Sequence, residues 1–457
     1  MFENRKIFIL GMGKSGVSVA KFLSKNNDIL ITDMKDNKDV SMLKNRGINV
    51  IITDKQEDLL DDTFDVVVKN PGVKLDHPVV LKASSLNIPV ITELEVAYRY
   101  LPKVKIVGIT GSNGKTTTTT LTYEILKRAG LSVHLAGNIG IPLCDQIDDI
   151  KDGDILVIEI SSHQLANLDK FKVDIAVLTN FSEVHLDHFG TYENYKNNKL
   201  RIFKYQNEDD IAIINKSDRE VYEKTLNLKS KKLYFSSKES ADICIKDNYI
   251  VYSDKIKLSD IKLKGMHNYE NIMASILVSM QFNVKKEYIM DVLTTFGGVS
   301  HRMEFVKNVE GRDFYNDSKA TNVVSTITAL KSFDSPVILI LGGLDRGHSF
   351  DDLVPYLNHV KLIVCYGQTK NRIKQFAENN NIEVTVVDDV KQAARVSYEK
   401  SNKGDTILLS PACASWDQWN NFEERGDAFK SAIKNLWNNR FFSVKNSKVL
   451  LKWVEIV

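Results

Sequence analysis

Residues 108–119 read GITGSNGKTTTT. The apolar run before them has the length of a buried strand, and the hydroxyl-rich run after them can open a helix, so the glycines fall on a strand-to-helix turn. In that setting backbone N–H groups and a helix N-terminus hold phosphate oxygens. Lys115 can pair with the β- and γ-phosphates of ATP and Thr116 can offer its hydroxyl to Mg²⁺, with Gly111, Ser112, Asn113, Gly114 and Thr117 as the wall of the loop. Five residues separate Gly108 from Gly114, so the stretch departs from the GxxxxGK[ST] spacing of ordinary phosphate loops. A loop of this kind belongs on a mostly parallel sheet covered by helices, and the fold class it predicts is α/β.

Outward from the loop, short apolar runs that end in Gly, Asn, Asp or Thr and precede helix-compatible stretches start three separate times. The first block predicts strands at 7–10, 28–32 and 66–69, the second at 105–109, 155–160 and 175–179, the third at 337–341, 362–366 and 406–409. A polar, Lys-rich region at 217–264 reads as a small peripheral sheet. The expected domains are 1–102, 103–299 and 300–457, in keeping with 457 residues at about 100 to 200 per domain.

Hydrophobic residues make up 43% and charged residues 26%, enough apolar material for packed cores. Lys plus Arg number 61 against 59 Asp plus Glu, so no excess of positive charge points to nucleic acid, and any anion must be held locally. Cys144, Cys244, Cys365 and Cys413 form no CxxC pair and read as reduced thiols. The start MFENRKIFILGMG lacks the pattern of a secretory signal, and no apolar run approaches the ~20 residues that span a bilayer. The expected location is the cytoplasm, without membrane insertion.

Several motifs bear on the loop's chemistry. Glu159 closes the strand DILVIE, where a carboxylate can reach Mg²⁺ beside phosphates. Residues 180–201 read NFSEVHLDHFGTYENYKNNKLR, in which His185, Asp187 and His188 mimic a zinc cluster, although Mg²⁺ prefers oxygen ligands. GMHNYENIMAS at 265–275 reads as a helix start that Asn268 can cap. TGSNGKTT with these segments resembles the Mur ligases and, in its loop, the folylpolyglutamate synthases. HRMEF (301–305), DSKATN (317–322), LGG (341–343) and SPACASWDQWNNFEERG (410–426) extend the Mur resemblance from about residue 7 to 434 and look like its D-glutamate-adding branch.

That resemblance implies a ligase that joins D-glutamate to UDP-N-acetylmuramoyl-L-alanine, acting as a monomer with ATP and two Mg²⁺. It implies three domains: a Rossmann-like UDP-binding domain, a central ATPase-like domain and a Rossmann-like C-terminal domain. Glu159, His185 and Thr116 would serve the metal site, joined by Lys199 as a carbamate; Asp187 and His188 would be structural. Asn268, Asn271, Arg302 and Asp317 would face the nucleotide, and Lys319 would lie near the phosphates and the new bond. Thr321, Ser415 and Phe422 would cradle D-glutamate. Where relatives can place a lysine for its side-chain carboxylate, LGGLDRGHSF offers Arg346, with Asp345 and His348 close by.

At the amino terminus Gly11, Gly13 and Gly16 spell GxGxxG, and Asp33 ends the next predicted strand, as in a dinucleotide site. An NAD-dependent oxidoreductase is the rival reading, and a scaffold with a degenerate ATP site is another. The same backbone geometry suits a UDP diphosphate. Under the resemblance Ser15, Gly16, Asp33, Asn70 and Gly72 of NPGV, and Asn138 of AGNIG would hold the UDP substrate. The stretch 439–457 matches no motif and reads as a packed strand or a loose extension.

Overall fold

A computed structural model describes residues 1–183 and 189–436, in two compact units, Met1–Phe296 and Gly297–Val457. His185, Asp187, His188 and the stretch 439–457 lie outside the described residues.

The first unit holds two sheets. Strands β1 (Lys6–Leu10), β2 (Asp28–Asp33), β3 (Asn49–Ile52), β4 (Val66–Lys69) and β5 (Val90–Ile91) form one, all parallel, in the order β3-β2-β1-β4-β5. The apolar runs of β1 and β4 are buried on both faces because helices cover both sides, which is why they read as continuous rather than alternating. β3 and β5 were not predicted: they are short edge strands in which only Val50 and Ile91 are buried.

The second sheet carries the loop. It is built from β6 (Lys105–Thr110), β7 (Val133–Gly137), β8 (Ile155–Glu159), β9 (Ile175–Leu178) and β10 (Ile211–Asn215), extended by β11 (Lys231–Ser236), β12 (Ile243–Lys246), β13 (Tyr249–Val251) and β14 (Lys255–Lys257). The order is β14-β13-β12-β11-β10-β9-β6-β8-β7. The Lys-rich region is therefore no separate sheet. β11 pairs with the exposed edge of β10, and the antiparallel meander that follows turns Ile243, Ile250 and Ile256 into the same core as Ile109 and Val177.

Glu95, completely buried on the helix Glu93–Tyr98, ties the two sheets of this unit together. Its carboxylate accepts from the backbone N–H of Asp169 at 3.0 Å, Lys170 and Phe171 at 3.1 Å, and from Arg99 Nε at 3.2 Å. A buried carboxylate needs such donors, since an unpaired one costs several kcal/mol, on the order of a full desolvation penalty.

The second unit has one six-stranded sheet, in the order β15-β16-β20-β17-β18-β19. Its strands are β15 (Glu304–Val309), β16 (Arg312–Asn316), β17 (Val337–Gly342), β18 (Val360–Tyr366), β19 (Glu383–Val386) and β20 (Thr406–Leu409). β15 and β16 make an antiparallel hairpin on an otherwise parallel sheet, so β17, β18 and β20 deliver their carboxyl ends, with LGG and SPACAS, to one edge.

Candidate active site

The loop after β6 is shaped by its neighbours. Gly111, at φ +150°, lies so close to Thr179 that a Cβ would stand 1.8 Å from Oγ1, and Gly114, at φ +81°, would place one 2.2 Å from Asn271 Oδ1. Thr179 Oγ1 donates to Asn113 O at 2.6 Å, Asn180 Oδ1 accepts from Asn113 N at 2.9 Å, and Ser112 N donates to Asn180 O at 2.9 Å. The end of β9 thus clamps the loop from behind. Gly114 caps the helix Lys115–Arg128, whose first residues Lys115, Thr116 and Thr117 line its N-terminus, with Thr116 buried. Lys115 Nζ donates to Gly111 O at 2.9 Å and Ser112 O at 2.8 Å, which places the ammonium over the loop.

Asn271 and Asn268 share the helix Met266–Met280 but differ in setting. Asn271 is buried, and its Oδ1 accepts from Thr118 Oγ1 at 3.2 Å, so it packs on the loop's helix. Asn268 is half-buried and donates to Lys264 O at 2.8 Å.

Glu159 stands at the end of β8, in register with Ile109 of β6 and Gly137 of β7. Its Oε1 accepts from Asn138 Nδ2 at 2.7 Å. Its Oε2 is buried with no hydrogen-bond partner among the described residues. Buried carboxylate oxygens are nearly always satisfied, so this one fits a cation ligand. No cluster of three His, Cys, Asp or Glu among the described residues suits a metal by itself. Mg²⁺ does not require one, because one or two carboxylates and phosphate oxygens commonly hold it.

Lys199, on the helix Tyr192–Leu200, is almost fully buried and donates to Gly111 O at 2.7 Å. Burial, reinforced by the charge of Lys115 and opposed by Glu159, pushes its pKa well below the usual lysine value. Tyr195, one turn earlier, places its ring 4.7 Å from Nζ and its hydroxyl 3.0 Å from Ser112 Oγ. Tyr195 was not singled out from the sequence, although the i, i+4 spacing to Lys199 is legible.

The turn after β1 is organised differently. Asn70 Nδ2 donates to Gly11 O at 2.6 Å, and Asp33 Oδ2 accepts from Met12 N at 2.6 Å. A cleft of about 450 Å³ opens beside it, lined by Gly11, Asp33, Gly72, Val73, His77 and neighbouring residues. Ser15 and Gly16 lie on the helix Lys14–Leu23 outside that lining. Asn138 stands with Glu159 rather than with the cleft.

In the second unit Asp317 is buried; it accepts from Ser410 Oγ at 2.8 Å and Met303 N at 3.2 Å, and burial raises its pKa to about 7. Arg302 is exposed, Thr321 half-buried and Ser415 buried. Lys319 Nζ lies 5.7 Å from the ring centre of Phe422. Arg346 is exposed, its guanidinium 4.9 Å over the ring of Trp416, while Asp345 pairs with Arg372. Arg425, completely buried, joins the motifs: Nε donates to Ser318 Oγ at 2.9 Å, one terminal nitrogen to Ser318 O at 2.7 Å, the other to Cys413 O at 3.0 Å and Gly342 O at 3.4 Å. The NFEERG motif contains this residue, but nothing local in it reveals a guanidinium buried among carbonyls.

These features set a glycine-rich strand-to-helix loop beside a buried carboxylate oxygen that has no partner among the described residues, and give the second unit a set of polar loops at one sheet edge. Family models match in chain order: Mur ligase MurD-like N-terminal domain over residues 5–92, Mur ligase middle domain over 109–279, and Mur ligase glutamate ligase domain over 301–413. A relative from Geobacillus kaustophilus, UDP-N-acetylmuramoylalanine--D-glutamate ligase, is 44% identical over 445 residues, covering 95% of this chain and 98% of its own. The chain belongs to the Mur ligase family. Two solved structures share the fold: UDP-N-acetylmuramate-alanine ligase MurC from Thermotoga maritima (TM-score 0.58, 17% identity, 94% of this chain and 100% of that one) and MurF ligase from the same organism in complex with ADP (TM-score 0.56, 19% identity, 95% and 96%).

Proposed function

We propose that the protein joins D-glutamate to UDP-N-acetylmuramoyl-L-alanine, with ATP converted to ADP and phosphate, as a step of peptidoglycan synthesis. The 44% identity to a ligase of that name along nearly the whole chain supports the choice of substrates. The observation that carries the chemistry is the buried Glu159 Oε2, without a hydrogen-bond partner among the described residues, at the end of the strand next to β6 and its loop.

A carboxylate is a poor electrophile, so it must first gain a leaving group. The alanine carboxylate attacks the γ-phosphorus, the bond to the β–γ bridging oxygen breaks, and ADP leaves. The loop N–H groups and Lys115 bear the charge that spreads over the transferred phosphoryl group. The amine of D-glutamate then adds to the acyl phosphate, phosphate leaves, and the amine gives up a proton. Two Mg²⁺, held by Thr116, Glu159, His185 and a carbamate on Lys199, would neutralise phosphate charge. Burial of the Lys199 amine against Gly111 O favours that modification, since the uncharged amine is the form that adds to CO₂.

A UDP-substrate domain at 1–102 brings Ser15, Gly16, Asp33, Asn70 and Gly72 to that substrate, and the ATP domain at 103–299 adds Asn138 to them and holds the nucleotide with Gly111–Thr117, Asn268 and Asn271. The domain at 300–457 adds Arg302 and Asp317 toward the nucleotide, Lys319 near the reacting groups, and Thr321, Arg346, Ser415 and Phe422 around D-glutamate. In this proposal the enzyme is a monomer of the cytoplasm; among the described residues no helix is long and apolar enough to cross a membrane.

The test is oxygen transfer. With heavy oxygen in the alanine carboxylate, label should appear in inorganic phosphate, and turnover should require both the UDP substrate and D-glutamate. Label in AMP would replace phosphoryl transfer by adenylation, and NADH oxidation would restore the dehydrogenase reading. A ¹³C carbamate resonance that disappears in Lys199→Ala is expected; its absence from the active enzyme removes the carbamate.

A further inference from the structure

We propose that Trp416 orients Arg346 toward the side-chain carboxylate of D-glutamate and thereby sets the enzyme's preference for that carboxylate over its amide. The inference rests on the reading of Arg346 given above and adds a residue to it.

The backbone first brings the two side chains together. Leu344 N donates to Ala414 O at 2.9 Å, joining the loop after β17 to the loop after β20, and Arg346 and Trp416 each follow that bond by two residues. Gly343, at φ +147°, permits the approach: a Cβ there would stand 2.2 Å from the same Ala414 oxygen. Trp416 then leaves the core abruptly. Its predecessors from Ser410 to Ser415 are buried, while the indole is 63% exposed, an arrangement that costs apolar surface in water unless something covers the ring. The Arg346 guanidinium lies against it, 4.9 Å from the ring centre, and the ring stays 63% exposed with that contact made.

The charges around the pair leave that cation for a ligand. Asp345, the adjacent carboxylate, is committed to Arg372 and accepts from Gly347 N at 2.9 Å. Asp417, next to the indole, accepts from Gln368 N at 3.1 Å. Among the described residues Arg346 makes no hydrogen bond or ion pair, so its contact with the indole positions it without spending its donors. A guanidinium held through an aromatic ring keeps its in-plane N–H fork for a carboxylate, which it can bind bidentately, whereas an amide offers one acceptor oxygen and a repelling NH₂. The pair therefore selects charge as well as shape. Ser415, assigned to the same amino acid, immediately precedes the indole.

Steady-state kinetics with D-glutamate and D-glutamine as competing acceptors test this in wild type, Trp416→Ala, Trp416→Phe, Arg346→Met and the double variant Arg346→Met with Trp416→Ala. A cation–π contact at an exposed site predicts that Trp416→Ala raises KM for D-glutamate by about twofold to fivefold, with KM for ATP unmoved and a matching loss of preference over D-glutamine. Trp416→Phe, which keeps a ring, should restore part of that loss. Arg346→Met should lose the preference more fully, and adding Trp416→Ala to it should change nothing further. If Arg346→Met loses the preference while Trp416→Ala retains it, or if the two losses add, the role of Trp416 is overturned and that of Arg346 stands. If Arg346→Met still prefers D-glutamate as wild type does, the reading of Arg346 itself fails.

Discussion

Two glycine-rich strand-to-helix turns, one after β1 and one after β6, look alike on paper, and in both the missing side chains make room for the protein's own atoms. They differ in the charged group beside them, Asp33 after β1 and Lys115 after β6. After β1 the missing side chains admit the protein's own atoms: a Cβ on Gly16 would stand 2.1 Å from Gly11 O, and one on Gly11 would stand 2.7 Å from Asn70 Nδ2. Asn70 and Asp33 consume the polar groups of that turn, through Gly11 O and Met12 N. After β6 the neighbours Thr179, Asn180 and Asn271 grip the loop from behind, and Lys115 lies over it. Glycine spacing reports that a backbone comes close to something; in both turns that something is protein, and the charge of the neighbouring side chain separates them.

Replacing Lys115 by Ala should have the largest effect. It deletes the cation over the second turn and should lower ligation by about 10²–10³-fold, the range for loss of one charge-stabilising group, with the thermal midpoint unchanged. Near-normal turnover in the folded variant would break the contrast at once. Gly16→Ala comes next and acts through packing. The added methyl meets backbone rather than a mobile side chain, so we expect a loss of about 3 kcal/mol of stability and a weakened UDP substrate, with ADP affinity retained. An unchanged midpoint in scanning calorimetry would show that the first turn has room to spare.

How far such a contrast can be read in advance depends on which atoms carry it. The parallel strands that bear the loops were legible because burial on both faces writes itself as an apolar run, as in VVV of β4 or VILIL of β17. The edge strands β3 and β5 are short and bury one residue each, and the place of β11–β14 depended on a distant edge of β10. The places of Lys115 and Thr116 at the helix start and of Glu159 at a strand end were legible because the loop and the strand adjoin them in sequence. The burial of Lys199 was not: NNKLR is polar, and the helix buries Lys199 by packing next to Gly111, which is 88 residues away in the chain. Arg425 was hidden for the same reason, since its acceptors come from three separate segments.

Each turn also has a buried lysine nearby, which sharpens the comparison. Lys69, at the end of β4, donates to Val73 O at 2.7 Å, and burial lowers its pKa from 10.5 to about 8. Lys199 has the opposing influence of Glu159 and a place beside the phosphate loop. Lys69 should act on stability alone. Its folded pKa lies below its unfolded value, so between about pH 8 and 10.5 the unfolded chain binds the extra proton and stability rises with pH; below pH 8 the folded state bears the whole cost. Lys69→Met should abolish this rise, on the order of 2–3 kcal/mol, in urea titrations at pH 7 and pH 10. A variant with the wild-type pH slope would show that the amine is solvated.

The smallest effect is expected from Asp33→Asn, and it bears most directly on what the first turn is for. Asp33 Oδ2 accepts from Met12 N at 2.6 Å and Oδ1 from Lys35 N at 3.3 Å, so the carboxylate shapes the turn and lines the cleft in the same geometry. An amide can keep one of these bonds through its oxygen and must oppose the other with its NH₂, which should cost about 1 kcal/mol of stability. In a dinucleotide site the same carboxylate would grip a ribose diol, and its loss would remove the cofactor. Here the bond to Met12 already uses the charge to hold the protein's own backbone. Calorimetric titration should therefore show no NAD binding in either protein, and a UDP-substrate affinity that falls in the variant by less than about tenfold. Tight NAD binding to the wild type, lost in Asp33→Asn, would mean that the turn after β1 reads a dinucleotide and that Asp33 serves a ribose rather than the turn's own backbone.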